Sequence, residues 1–157
     1  MTFDTKDSES RIRQSFINDF GDIISGNATP DEMADFVMEY VVNNNGMINL
    51  DYQDVADTLK GMKEGDCVVL ETEKENIPSA LNECRTRLND SHPASKMQKL
   101  LLQIVAPRQS GLMMNDMQMF HDFLSSVGDD LEVTWGISKR EDDSSKYILF
   151  MIAGFKD

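Results

Sequence analysis

Between Ser8 and Gly26, Ile12, Phe16, Ile17, Phe20, Ile23 and Ile24 recur three or four residues apart. This is the pattern of a helix with one buried face. The string "TPDE" predicts the start of a second helix: Thr29 caps, Pro30 suits the first position, and Glu32 completes a capping box. Its buried stripe is Met33, Phe36, Val37, Tyr40 and Val41, and "NNNG" (Asn43 to Gly46) stops it. Asp51 then caps a short helix carrying Val55 and Leu59. From Asp66 onward the pattern changes. "DCVVLET" (Asp66 to Thr72) and "KLLLQIVA" (Lys99 to Ala106) are short apolar β-type runs, each followed by a helical pattern. The first helix aligns Ile77, Ala80, Leu81, Cys84 and Leu88, and the second aligns Met113, Met117, Phe120, Leu124 and Val127. "LEVTWGIS" alternates, with Leu131, Val133, Trp135 and Ile137 on one face, whereas "KYILFMIAGF" is apolar on both. Alternation marks a strand with one wet face, and a continuous apolar run marks one covered on both sides. The closing strand is therefore expected inside the sheet, between the strands of Val68 and Leu101. The Leu131 strand is expected nearer an edge, and "KREDDSS" between the two as an exposed hairpin loop.

The order β-α-β-α-β-β behind a helical segment predicts an α/β (α+β) fold of two layers on a four-stranded mixed sheet. Two helices cover one face and the N-terminal helices the other. Residues 1–45 form the helical segment and 46–157 the α/β domain. A length of 157 residues suits one compact unit, and 40% apolar residues suit a globular protein. No apolar run approaches the roughly 20 residues that cross a bilayer, and the start has no secretory-signal pattern. A cytoplasmic protein without membrane contact is expected. The net charge of −13 has the wrong sign for binding nucleic acid through its phosphates and favours a partner with a basic face.

Little in the chain resembles a catalyst. Cys67 and Cys84 have no companion ligands at zinc spacing and are expected to be buried thiols. His121 is placed on a sheet-facing helix beside Asp122, but neighbours in sequence point apart on a helix. His92 precedes Pro93 in a loop with no evident partner, and no nucleophile accompanies either histidine. Among Met113, Met114, Met117 and Met119, core filling is expected for Met113 and Met117, with Met114 or Met119 more exposed. "EDDSS" lacks calcium-loop spacing. No metal and no cofactor is expected.

One stretch stands apart. "GMINLDYQDV", Gly46 to Val55, sets Asn49, Asp51 and Asp54 directly after a helix, and it resembles the "GLINLDFADV" loop of the FtsZ/tubulin family. "KLLLQIVAPRQSGLMMNDMQMFHDFL" is similar to that family's apolar strand, variable turn and helix. Trp135-Gly136 and "MIAGF" occupy the places of its Phe-Gly pair and closing "VIATGF". The likeness runs from about Phe16 to Phe155 and implies the fold of the family's C-terminal domain. It departs where "GNATPDE" breaks what is one long core helix in FtsZ. The family's glycine-rich phosphate loop, "GGGTGTG" or similar, has no counterpart. A phosphate needs converging backbone N–H groups unobstructed by side chains, and the nine glycines here are scattered.

In FtsZ the acidic loop enters the nucleotide site of the next subunit along the filament. The resemblance therefore implies that Asn49 would contact a neighbour's nucleotide, while Asp51 and Asp54 position water and cation. The expected protein is not a complete enzyme. It would contact an FtsZ- or tubulin-like partner of bacterial cell division and regulate or cap its filament. The alternatives are the C-terminal part of an FtsZ-like GTPase, or a self-associating structural module.

Overall fold

The computed structural model describes residues 5–43, 46–48, 50–93, 96–109, 116–126 and 131–156. Helix α1 spans Thr5–Phe20, and α2 spans Pro30–Val37 and continues as a π-helical turn, Met38–Val42. Strand β1 (Gly46–Ile48) and helix α3 (Tyr52–Leu59) follow, then β2 (Glu64–Thr72), α4 (Ile77–Ser91), β3 (Met97–Ala106), α5 (Met117–Ser126), β4 (Glu132–Lys139) and β5 (Tyr147–Phe155). Thr29 forms the capping box with Glu32, with Pro30 in the first turn. Asn44, Asn45, Asn49, Met113, Met114 and Val127 lie outside the described residues.

The four expected strands form the mixed sheet, and β1 adds a fifth, in the order β1-β4-β3-β5-β2. Strand β5 lies between β3 and β2, antiparallel to both, and all nine of its residues are buried. Strand β4 runs parallel to β3, and among the described residues only the three of β1 pair with its outer side. The polar segment after β4 is not a hairpin loop. It passes over the end of β3, because β3 and not β4 is the neighbour of β5. The apolarity of β5 on both faces favours the middle of the sheet over a place beside its chain neighbour.

A core lies on each face, because successive strand residues point to opposite sides. On one side Leu100, Leu102, Ile104, Leu149 and Met151 meet Ile77, Leu81, Cys84 and Leu88 of α4 and Phe120 and Phe123 of α5. On the other, Leu101, Phe150 and Ile152 meet Phe16, Met33, Val37, Val55 and Leu59. Gln103 faces this second core, and its amide donates to the Tyr40 carbonyl at 2.9 Å. The π-helical turn closes there, with Asn43 N–H donating to Met38 O at 3.0 Å. Among the described residues no helix is long and apolar enough to cross a membrane.

Candidate functional site

The two described members of the acidic motif meet at the start of α3. Leu50, buried in the second core, fixes the entry of the chain, and Val55 and Leu59 bury the opposite side of the helix. Between them Asp51 is exposed and Asp54 half-buried. Asp54 N–H donates to Asp51 Oδ1 at 3.1 Å, and Asp51 N–H donates to Asp54 Oδ2 at 2.8 Å. Asp51 is the expected cap, and Asp54 makes the box reciprocal, with Asp in the place usually taken by Glu or Gln. It occupies one oxygen of each carboxylate, so Asp51 Oδ2 and Asp54 Oδ1 remain to accept hydrogen bonds. The helix N-terminus lowers the cost of holding two adjacent negative charges. Such a corner can orient water or a cation; it carries no nucleophile. Among the described residues no group of three or more His, Cys, Asp or Glu side chains could hold a metal.

A second polar cluster lies at the start of β2. His92, expected to lack a partner, is 3% exposed. Its Nδ1 lies 2.5 Å from Glu64 Oε2, and its Nε2 lies 3.0 Å from the Ser25 carbonyl and 3.2 Å from Asp66 Oδ2. The ring stacks on Phe155 with centroids 4.3 Å apart. Asp66 is fully buried and accepts from the backbone N–H groups of Asn27, Ala28 and Cys67 and from the Asn27 amide. Gly26 makes the approach at φ +111°, where a Cβ would stand 2.4 Å from Asp66 Oδ2. The His–Asp pair of the cluster meets the Ser25 carbonyl rather than its hydroxyl. The neighbouring Cys67 thiol is pushed up by burial, far from the thiolate a nucleophile needs. The one hint in the sequence is an aspartate directly before the apolar run Cys67 to Leu70.

The remaining candidates fall to structural roles. Cys84 is buried in the α4 core and its thiol is pushed up to about 12 by that burial. His121 is exposed rather than turned to the sheet, because Phe120 and Phe123 take the buried positions of α5. Met117 and Met119 both pack partly buried against the first core. The "EDDSS" turn is tied by charge: Arg140 forms a bidentate pair with Asp142 at 2.8 Å and reaches Glu71 at 2.8 Å. Arg108 pairs with Asp143.

No protein-family profile matches the chain, and no curated protein matches its sequence. Solved structures do match its fold. A mutant of FtsZ from M. jannaschii superposes with a TM-score of 0.59 at 14% identity, over 79% of this chain and 38% of that one. An empty FtsZ dimer from the same organism gives 0.54 at 16%, over 79% and 37%. A GTPγS-form protofilament of TubZ from Bacillus thuringiensis serovar israelensis gives 0.59 at 12%, over 94% and 40%. The chain therefore spans well under half the length of the proteins it matches. It has the fold of the part of FtsZ and TubZ that it overlays, as the resemblance to the family's C-terminal domain leads one to expect. Identities of this size establish the fold alone.

Proposed function

We propose that this chain acts by protein contact on a filament of the FtsZ/tubulin type, regulating or capping it, without a nucleotide site of its own. The observation that carries this reading is the acidic corner of an exposed Asp51 and a half-buried Asp54 at a helix start, on a fold shared with protofilament-forming proteins. Docked against the nucleotide face of a partner subunit, the corner would bring the carboxylate oxygens left over from the capping box to the water beside the γ-phosphate. Water orientation needs hydrogen-bond reach and little else from the donor. Asn49 would add a contact to the nucleotide. The second reading, a piece of an FtsZ-like GTPase, draws support from the chain spanning only 34–40% of the proteins it overlays. A glycine-rich phosphate loop upstream in the native reading frame would select it.

The test uses an FtsZ- or TubZ-type GTPase from the same cell. Its sedimentation with this chain reports binding, and its GTP turnover reports the effect of the corner. The double substitution Asp51→Asn and Asp54→Asn keeps an oxygen acceptor at each position of the capping box while removing both charges. Binding is expected to persist and the effect on turnover to disappear. Equal turnover with both forms at saturating binding would reduce the corner to a helix cap. Titrated with GTP alone, the chain is expected to show no binding. A dissociation constant at or below about 10 µM, near −7 kcal/mol, would overturn the proposal.

A further inference from the structure

We infer that the outer edge of β2 is a masked strand-pairing surface for a second copy of this chain, kept closed by a clasp of residues 24–28. Strand β2 is nine residues long and, among the described residues, has a neighbouring strand, β5, on one side only. The other side is met at its beginning by Ile24, in a single parallel bridge to Gly65, with Ser25 N–H donating to Gly65 O at 3.0 Å. That bond places the backbone groups of Gly65 on the outer edge. Alternation along the strand then places those of Cys67, Val69 and Glu71 there too. Among the described residues, no backbone partner meets Val69 or Glu71 on that side.

The strand matches itself. In an antiparallel pair centred on Val68, Cys67 faces Val69 of the other copy and Gly65 faces Glu71, so outward residues meet outward residues. Asp66 faces Leu70 and Glu64 faces Thr72, so no acid stands directly opposite an acid, the arrangement that destabilises cross-strand pairs. Between Glu64 and Thr72 there is no proline and no lysine, two of the devices that blunt an exposed edge.

The clasp supplies the missing protection. Gly65 O is taken by Ser25 N–H, and Cys67 N–H is taken by Asp66 Oδ1 at 2.9 Å. Every hydrogen-bonded pair of the Val68-centred register contains one of these two residues, so the closed clasp vetoes the whole ladder. A register centred on Leu70 would use Val69 and Glu71 alone, too short a ladder to hold two molecules. Asp66 stays folded over the edge because Asn27, Ala28 and His92 surround its carboxylate. Asn27 also ties the clasp to α4 through the Arg87 carbonyl at 2.9 Å. Without these partners a buried carboxylate is costly and turns to solvent, which releases Cys67 N–H.

The experiment compares wild type with Asn27→Ala/His92→Ala, and both with Val69→Pro added. Proline at 69 removes an outward N–H and leaves the β2–β5 ladder intact, as edge positions tolerate. The clasp variant is expected to form dimers in sedimentation velocity beyond any wild-type association, increasing with salt as the charge of −13 is screened. Val69→Pro should return it to the wild-type distribution with an unchanged circular dichroism spectrum. Dimers that survive Val69→Pro, or wild-type association that Val69→Pro removes, would overturn the inference. So would a wild-type distribution in a clasp variant whose Ser25 and Cys67 amides exchange freely. If the double variant fails to fold, Asn27→Ala alone changes only an exposed residue and carries the same comparison.

Discussion

Asp51 shows how far a single residue can be read from sequence. Its cap depends on atoms three residues away, so the spacing Asp51-x-x-Asp54 contains the whole interaction. Asp51→Ala is expected to cost about 1 kcal/mol in denaturant unfolding, and Asp51→Asn a few tenths at most. His92 is the opposite case. Its acceptors come from Glu64, Asp66 and Ser25, the last 67 positions away, and nothing local to "SHPA" reveals them. The cysteines lie between these extremes: their burial was legible from apolar surroundings, its chemical consequence only from the packed fold. With Cys84 pushed up to about 12 and Cys67 pushed up as well, neither thiol ionises in the folded chain at pH 8. Alkylation by iodoacetamide at that pH should be negligible until denaturant unfolds the protein. Rapid modification of either cysteine in native buffer would contradict the packing of its core.

Element existence followed from periodicity, whereas pairing did not. The patterns located each described helix and the four long strands, and the two-sided apolarity of β5 placed it inside the sheet. Periodicity reports which faces are buried, not which strand lies alongside. The seven polar residues after Lys139 therefore suited a hairpin, although they cross the end of β3. Arg140 holds that crossing. Half-enclosed, it gathers Asp142, Glu71 and the Lys146 carbonyl, while its own N–H donates to Ala106 O at 2.7 Å. The hydrogen bonds from Arg140 hold the Asp142 carboxyl below the ordinary 3.8. A depressed carboxylate contributes stability that is complete above its ordinary value and lost as pH falls through the lowered one. The crossing should therefore be unaffected above pH 3.8 and loosen progressively below it. Amide exchange at Ser144 and Lys146, followed by NMR as pH is lowered, would show this. Arg140→Ala should produce the same loosening at neutral pH.

The sheet is the wall between two cores, and the central strands belong to both. Neighbouring residues of β5 divide between them: Leu149 faces α4 and α5, and Phe150 faces the N-terminal helices. Phe150 is fully buried, with its ring centroid 6.1 Å from that of Phe36 and 5.6 Å from that of Tyr40. Phe150→Ala should cost about 3–5 kcal/mol, and Leu149→Ala about 2–5 kcal/mol, through lost burial and the cavity left behind. Their kinetic or calorimetric signatures distinguish two ways of assembling the molecule. If α1–α3 only lean on a sheet that stands by itself, Phe150→Ala would melt that layer first and leave a folded remainder. The geometry argues against this. Strand β5 without the helical layer would expose Phe150 and Ile152, and β3 would expose Leu101 and the amide of Gln103, which is bonded to the π-helical turn. A strand buried on both faces cannot keep one of them bare in water. Both variants are therefore expected to unfold in one transition, with far-ultraviolet circular dichroism and Trp135 fluorescence coincident. Separate transitions for the two probes in Phe150→Ala, with a single one in Leu149→Ala, would show instead that the helical layer is a dependent cover on an autonomous sheet.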